Sequence, residues 1–504
     1  MLTSKQLCDR RDKARADREQ WRDLLEDAYD YVIPARNRFT NRTDGDEENE
    51  HLYDETATLA IPRFANRLQR SLFPEGQEFA QFKAGSEIPE DSKESLDNGL
   101  EEYTKSFYSF FNLSNFQTEI NPCLIDCGVS TGVIQINEEK FTSDHPFYFN
   151  NIPADEISFE KPLKGRLVNM WRRVKMVAET ILETWPKAKI PNSLAKIIRD
   201  EPRSEVDIDL GQIKEDQYSI YVMYEKEVLH HEEFKSQRII AFRLSAYPRE
   251  TWGRGPAIQV LPAIRDANII KELILENAAI QVSGMWTARS DGVFNPWTFT
   301  VSPGGVIPVQ SNDTGNPTLS RLPNAGDLNM GQIVLEDLQA AIQKAFFVDP
   351  LGEISDPVRS ATEQTMRMQE FLKDQGAAIG RLRTELVEPI VMAVVDILTK
   401  RGELPGEVKV DGKEVKIVHN TVLTQAEQQE DYQALMTWVS SIMGLGFPPE
   451  AIMGLIKIEE LPGGMADMLG VSSKYTRNQA ERQQLTEMVA GFIGQAQTAT
   501  GEAG

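Results

Sequence analysis

The sequence predicts a mainly helical α+β protein, and three observations carry that prediction. Apolar residues recur at helical spacing near the start of the chain and over long stretches from about residue 256 onward. Between about residues 120 and 250 they fall instead into short segments with a period near two, which is typical of strands. Hydrophobic residues make up 40% and charged residues 26%, so most of the chain should fold.

The net charge limits the classes of function. The 504 residues include 54 basic and 77 acidic side chains, which gives −23. A protein that binds nucleic acid through a broad basic surface has the opposite balance. The charge does not exclude a conduit that DNA must pass without sticking, because Lys and Arg contacts to phosphate would hold the DNA tightly.

Cysteine usage and hydropathy indicate where the protein is made. Three cysteines are too few for a disulfide framework in a chain of this length, which indicates a reducing compartment. The first 30 residues are dense in charge, unlike a secretory signal. No apolar run approaches the roughly 20 residues that span a bilayer. We expect synthesis in the cytoplasm and no membrane partner.

Three helices are predicted before the mixed region. The first is highly charged, becomes apolar from Trp21 and ends at Pro34, and an acidic loop follows it. The third is rich in aromatic residues. Their predicted bounds are residues 4–33, Ala57–Leu72 and Glu101–Phe111.

The mixed region should contain several short strands and one helix at Met176–Trp185, which Pro186 ends. The predicted strands are Val133–Asn137, Phe147–Phe149, Ile157–Phe159, Ser219–Tyr224, Lys226–Phe234 and Ile239–Ser245.

Two strong helices flank an irregular segment in the middle of the chain. Residues 256–284 carry apolar residues around most of the helix, and Arg265, Asn268, Glu272 and Glu276 form one polar stripe. We expect this helix to be buried on most sides. Residues 327–347 form the second helix, with Gln332, Glu336, Gln339 and Gln343 on its polar side. Residues 285–326 lack regular pattern but are rich in Gly, Pro and aromatic residues, which is unusual for a disordered loop.

The last third contains a kinked helix and a hairpin. After a break rich in Pro and Gly, Ser360–Glu363 forms a capping-box pattern that opens a helix to about Arg401. Gly376, Gly380 and Pro389 predict its kink. An Asp411-Gly412 turn predicts a hairpin over Val408–Val418, and the chain from Gln425 onward should be helical.

No motif for catalysis or cofactor binding is found. The sequence has no phosphate-binding G-x-x-x-x-G-K-[ST] loop and no G-x-S-x-G nucleophile turn. Cys123 and Cys127 are expected to be buried structural thiols, and the adjacent His230 and His231 to point to opposite faces of a strand. Asp207 and Asp209 could share one face of a strand, but a lone pair of aspartates in a polar loop is more often solvated than catalytic.

Three groups of residues, in this order along about 360 residues, resemble one family. The first comprises Tyr29–Pro34, Leu52–Asp54, Ala57–Ala65 and Leu68–Pro74; the second is Tyr247–Pro256; the third comprises Ser360–Glu363, Arg367, Gly380–Leu382, Glu385–Leu386 and Pro389. Together they are similar to the portal, or head-to-tail connecting, proteins of short-tailed bacteriophages. Trp252 departs from the family pattern, which often has tyrosine there.

The resemblance implies the portal fold, a ring of about twelve subunits with wing, stem, clip, tunnel loop and crown. It assigns these parts to the chain as follows: wing, 1–255; first stem helix, 256–284; clip, 285–326; second stem helix, 327–347; tunnel loop, 348–360; kinked wing helix and hairpin, 361–424; crown and C-terminal tail, 425–504.

The resemblance also implies a non-enzymatic role without cofactor, metal or catalytic residues. The ring would conduct double-stranded DNA non-specifically during packaging and ejection, and nucleate capsid assembly. The residues expected to face the DNA are Arg265, Glu272, Glu276, Glu336, Gln339, Gln343, Lys344, Asp349, Glu353 and Arg359. The aromatic residues expected to dock a partner at the clip are Trp286, Phe294, Trp297 and Phe299.

The expected partners are other copies of the chain, the terminase large subunit, a tail adaptor, and the major capsid and scaffolding proteins. The expected location is the capsid vertex of the virion, after assembly in the host cytoplasm. Two alternatives remain from the residues alone. An internal scaffolding protein would have extended helices and little strand, and a phage nuclease would need clustered carboxylates for paired metals.

Overall fold

The computed structural model contains helices and sheets in two compact units. The first unit comprises residues 1–22, 64–255 and 350–504, and the second comprises 23–63 and 256–349. The structure describes residues 2–39, 51–74, 76, 78–85, 88, 90–139, 145–162, 164–283, 286–288, 319–321, 328–347, 376–405, 415–419, 432–438, 440–442 and 465.

Helices contain more of the described residues than strands do. A short 3₁₀ turn at Pro34–Arg36 and a π-helical turn at Arg383–Val387 accompany them. The α-helices are α1 Ser4–Glu19, α2 Arg22–Val32, α3 Thr56–Leu72, α4 Glu90–Phe111, α5 Phe116–Val129, α6 Thr180–Thr184, α7 Asn192–Asp200, α8 Pro256–Gln259, α9 Leu261–Ser283, α10 Leu328–Ala345, α11 Gly376–Leu382 and α12 Glu388–Arg401.

The described strands form four antiparallel sheets, in the orders β4-β5-β6-β7-β8, β3-β2-β9, β1-β12 and β10-β11. This strand content argues against the scaffolding alternative. The strands are β1 Ala80–Ala84, β2 Thr131–Glu138, β3 Phe147–Asn151, β4 Ile157–Phe159, β5 Met170–Val177, β6 Glu205–Lys214, β7 Tyr218–Tyr224, β8 Glu227–Phe234, β9 Ile239–Arg243, β10 Trp286–Ala288, β11 Leu319–Arg321 and β12 Val415–His419.

Each face of the five-stranded sheet has its own apolar cluster because side chains alternate along a strand. One cluster includes Ile208, Val222 and Leu229 and is covered by α6 and α7. The other includes Trp171, Tyr221 and Met223 and receives Leu7 and Ala14 of α1. The sheet is therefore sandwiched between helices.

Helix α1 is attached to this sheet mainly through arginine. Arg10 binds Glu160 at 2.6 Å, and Arg11 binds the buried carboxylate of Asp209 at 2.8 Å. Arg15 also pairs with Asp209, and the Arg18 guanidinium donates to the backbone oxygen of Asp155. Burial is the main reason that the pKa of Arg15 and of Arg18 is lowered.

The predicted helix at residues 4–33 is two helices, interrupted at Gln20 and Trp21. Gln20 caps α1, and the Trp21 amide donates to the Arg18 carbonyl at 2.9 Å. The two helices also belong to different compact units, because the chain passes from the first to the second between residues 22 and 23. The prediction of one continuous helix over residues 4–33 is therefore wrong.

Two predictions in the mixed region need correction. Met176 and Val177 belong to β5, where Met176 pairs with Val206, so the predicted helix shrinks to Thr180–Thr184. Asp207 and Asp209 lie in β6 rather than in a loop, and Asp209 is buried among arginines. The other predicted strands are confirmed, with ends that differ by a few residues.

The last third is confirmed in part. The helix is interrupted as expected, by the π-helical turn that precedes Pro389, and Gly402 ends it in the left-handed conformation with φ of 74°. Half of the predicted hairpin is a strand, β12, which pairs with β1. The Asp411-Gly412 turn, the capping box at Ser360–Glu363 and residues 348–360 lie outside the described residues.

Candidate functional site

Helices α9 and α10 pack against each other and run antiparallel. Gly331, near the start of α10, faces Ile274 in the second half of α9, and a methyl group there would lie 3.3 Å from the Ile274 side chain. Strands β10 and β11 continue the two helices and pair with each other, Trp286 opposite Arg321. The predicted irregular segment 285–326 thus has regular structure at both ends.

The second half of α9 and the first half of α10 expose large apolar side chains. In α9, Leu273 is 57% exposed and Val282 is 89% exposed. In α10, Met330 is 62% and Ile333 57% exposed. Buried apolar residues, such as Ile264 and Ile342, occur in the opposite halves. The expectation that α9 is buried on most sides is therefore not met within the single chain.

The exposed apolar residues of α9 form two separate stripes. At 100° per residue, Ile269, Leu273 and Ile280 share one side, while Leu275 and Val282 share another, roughly 150° away around the axis. Exposed patches of this kind mark interaction sites more often than isolated surface leucines do. The geometry provides contact surfaces on two sides of one helix.

The polar stripe of α9 binds a neighbouring segment of the same unit. The Asn268 side-chain oxygen accepts hydrogen bonds from the backbone amides of Tyr53 and Asp54, at 2.7 and 3.1 Å. Its amide donates to the His51 carbonyl at 2.9 Å. The hydrogen bond from the Tyr53 hydroxyl to Glu272 is the main reason that the Tyr53 pKa is raised. These contacts fix the segment before α3 against α9.

The expected channel residues differ in their partners and in their exposure. Arg265 pairs with Asp27, and Gln339 donates to Asp54 at 2.6 Å. Glu276, Glu336 and Lys344 are exposed, while Glu272 and Gln343 are half-buried. Asp349, Glu353 and Arg359 lie outside the described residues. Of the expected clip residues, Trp286 is in β10, and Phe294, Trp297 and Phe299 lie outside the described residues.

The second half of the motif segment, Thr251–Gly255, is tightly packed in the first unit. Trp252 is buried, with its ring centre 4.7 Å from that of Phe159. The Gly253 amide donates to the Thr131 hydroxyl at 2.9 Å, and the Gly255 amide donates to the Val129 carbonyl at 3.0 Å. The aromatic at 252 thus fills a core position, for which tryptophan is suitable.

Close backbone packing explains the glycine at 255. A methyl group there would lie 2.2 Å from the Gly128 carbonyl oxygen, which is backbone and cannot rotate away. We expect Gly255→Ala to lower the free energy of unfolding by about 1–3 kcal/mol. Urea unfolding would measure this.

The matched control is Gly99→Ala in α4, where the added methyl group meets nothing within 4 Å. It should raise stability by about 0.5–1 kcal/mol, because alanine favours the helix. Equal effects of the two substitutions would contradict the packing at Gly255.

Arg243, at the end of β9, connects the third motif with the second. It forms a buried ion pair with Glu385 of the third motif and donates to the Thr251 carbonyl of the second. The Arg243 side chain donates to Glu385 at 2.8 Å, and its backbone amide donates to the same carboxylate at 3.1 Å. Arg243 also donates to the carbonyls of Gly165 and Thr251. Glu385 lies in the π-helical turn, so this turn is anchored to the end of β9.

A second arginine, just before β9, binds the helix that follows the π-helical turn. The buried Arg238 donates to Asp396 at 3.1 Å and to the Ala393 carbonyl at 3.2 Å, both in α12. Desolvation by burial is the largest influence on Arg238 and lowers its pKa, while Asp396 opposes that change. Strand β9 thus has an arginine at each end, of which Arg243 binds the π-helical turn and Arg238 binds α12.

The residues considered for metal or thiol chemistry have structural surroundings. Cys123 and Cys127 are buried in α5 as expected, and burial raises the pKa of the Cys127 thiol to about 12. His231 packs its ring against Tyr221 at 4.5 Å. Within the described residues, no three His, Cys, Asp or Glu side chains converge as metal ligands would. None of the described helices combines the length and apolarity that a membrane span requires.

Several residues that connect distant parts of the chain were not predicted in that role. Arg243 ends a strand whose five residues are all buried, so a charge closing an apolar run was an available signal. Asp209 lies between the apolar residues Ile208 and Leu210 of a strand, and the sequence did not show that its carboxylate is buried against arginines of α1. Asn268 belongs to the predicted polar stripe, but nothing local indicated its backbone partners, because they lie more than 200 residues away in the sequence.

Comparison with known proteins agrees with the motif resemblance. The family model of the "Bacteriophage head to tail connecting protein" matches residues 4–476. The chain is also similar to a protein of Bordetella phage BPP-1 described as "Probable portal protein". The two are 20% identical over 492 residues, which cover 93% of this chain and 87% of the relative. Because the family match spans nearly the whole sequence, the chain belongs to the family of bacteriophage head-to-tail connecting proteins.

Proposed function

We propose that the chain assembles into a ring of about twelve subunits at one capsid vertex, around a channel for double-stranded DNA. The observation that carries the proposal is the apolar surface of α9 and α10, defined by Ile269, Leu273, Leu275, Ile280, Val282, Met330, Ile333 and Val334. In the described part of the chain these residues are exposed to water, at a cost of about 25 cal/mol per Å² of apolar surface. Neighbouring subunits would cover them.

The two-sided arrangement favours a ring over a pair. A two-fold dimer uses one self-complementary patch, whereas a closed ring needs two different surfaces on each subunit. The stripe of Ile269, Leu273 and Ile280 and the stripe of Leu275 and Val282 supply two such surfaces on one helix.

The proposed parts follow the family division. Helices α9 and α10 form the stem, residues 285–326 the clip, 348–360 the tunnel loop and 425–504 the crown and tail. Most of residues 1–255 and the segment 361–424 form the wing. We assign residues 23–63 to the stem, because the hydrogen bonds from the backbone of Tyr53 and Asp54 to Asn268 of α9 support that grouping.

The proposed channel wall uses the exposed polar residues of the stem. Glu276, Glu336 and Lys344 remain the best-placed candidates, because Arg265 and Gln339 already bind groups within their own unit. An acidic chain repels phosphate weakly and so lets DNA pass without tight contacts. The role needs no turnover.

The proposed partners are the terminase large subunit during packaging, a tail adaptor, and the capsid and scaffolding proteins. The aromatic clip residues Trp286, Phe294, Trp297 and Phe299 are proposed to dock one of them. The ring would form in the host cytoplasm, nucleate the capsid, and remain in the virion for DNA ejection.

Charge reversal at Glu336 tests the channel assignment. In phage lacking its own gene for this chain, complementation with Glu336→Lys should reduce the genomes protected from nuclease inside heads roughly tenfold, because lysine would hold passing phosphates. Glu227→Lys on β8, also exposed, is the matched control and should leave packaging unchanged. Equal packaging by both variants would contradict a channel position for Glu336.

A further inference from the structure

One cleft in the first unit has a charge opposite to that of the chain. It has a volume of about 550 Å³ and four exposed basic side chains at its rim. The chain as a whole carries −23. This cleft is called the basic cleft below. Its basic rim residues are Lys164, Arg166, Lys214 and Lys235.

The carboxylates that reach the basic cleft do not balance it. Glu385 is buried and bound by Arg243 beneath the cleft, at 2.8 Å. Glu388 lies 3.7 Å from Arg166. In the described part of the chain, neither Lys164 nor Lys235 has a carboxylate within ion-pair distance. The rim therefore carries uncompensated positive charge.

The floor of the basic cleft is fixed and partly apolar. The Ser236 hydroxyl donates to Asp396 at 2.8 Å, and the Gln237 amide donates to the Ile239 carbonyl at 2.8 Å. The Lys214 ammonium group lies 4.8 Å from the centre of the Tyr218 ring, which orients it at the rim. Pro389 and Met392 add apolar surface. This combination suits a short peptide segment with acidic side chains.

We propose that the basic cleft binds an acidic segment of a neighbouring copy of this chain, an inference that rests on the ring proposed above. The chain offers 77 acidic side chains. In an assembled oligomer they are present at an effective concentration of about millimolar or more. Opposite charges across such a contact fix the register of the partners.

The shape of the cleft favours a peptide over DNA. Its volume falls within the range of about 300–1,000 Å³ that is typical of pockets for small ligands. A rigid duplex, whose major groove alone is about 12 Å wide, cannot enter it and could touch only the rim lysines.

Zero-length cross-linking identifies the occupant directly. Rings are assembled from a mixture of ordinary and nitrogen-15-labelled chains and treated with a carbodiimide, which joins lysine to carboxylates in direct contact. We expect mixed-label peptides that link Lys164 or Lys235 to an Asp or Glu of another subunit.

A charge-reversal pair provides the second readout. Lys164→Glu with Lys235→Glu should raise the concentration needed for half-assembly roughly tenfold at low salt, and less at high salt, where exposed charges are screened. The control, Lys187→Glu with Lys196→Glu, changes two other exposed lysines by the same charge and should assemble normally.

The outcomes separate this proposal from the ring itself. Rings that form without mixed-label links at Lys164 or Lys235, and that tolerate the charge-reversal pair as they tolerate the control, would overturn the cleft assignment alone. Failure of the unmodified chain to form rings would overturn both. Binding of a fluorescent DNA duplex that is lost only in the charge-reversal pair would replace the acidic segment with DNA.

Discussion

Aspartate at both Leu273 and Ile333 should abolish ring assembly while leaving the fold of each subunit intact. Both side chains are 57% exposed in the single chain, so neither supports its core. Each would contribute about 1.5–3 kcal/mol when fully buried by a neighbour. Their loss should therefore weaken every subunit contact by at least about 3 kcal/mol, more than a hundredfold in dissociation constant. Light scattering after size exclusion would measure the mass.

Exposed leucines elsewhere provide the control. Leu113→Asp with Leu182→Asp changes two apolar residues of the first unit that are similarly exposed, and it should assemble like the original chain. Normal assembly of the Leu273 and Ile333 variant would show that α9 and α10 do not form the subunit contact. Unfolding of that variant, seen by circular dichroism, is not expected.

Glu385→Ala should destabilise the first unit by about 3–5 kcal/mol, because it leaves the Arg243 guanidinium buried without a counter-charge. The Arg243 amide at the end of β9 would lose its acceptor as well. The effect is best measured by urea unfolding in the Leu273 and Ile333 aspartate background, where assembly does not contribute.

Two comparisons make this prediction specific. Replacing both partners, with Arg243→Met and Glu385→Leu, should cost less than Glu385→Ala alone, since no buried charge remains. Glu101→Ala removes an exposed pair with Lys105 in α4 and should cost less than about 0.5 kcal/mol. A loss at Glu385 as small as that at Glu101 would contradict the anchoring of the π-helical turn.

Elements with a strong local pattern were predictable from sequence. Strands β7 and β8 are short runs separated by a polar turn, and α9 and α10 have long stretches of apolar residues at helical spacing, so their bounds were found within a few residues. The π-helical turn was predictable only as a kink, because Gly380 and Pro389 mark a weak point without specifying which hydrogen bonds form there.

The interactions that hold the elements together were not predictable from sequence. Arg243 and Glu385 are 142 residues apart, and Asn268 binds a backbone 215 residues away. The same limit applies to the contact surface of α9. Its apolar coverage predicted burial, but the sequence could not show that Leu273 and Val282 stay exposed among the elements that the structure describes.

Negative-stain electron microscopy of the purified full chain, at raised concentration, tests the proposed assembly most directly. The account predicts closed rings with a central hole and a mass near twelve subunits. A chain that stays monomeric at every concentration, with the apolar surface of α9 and α10 still in water, would contradict it.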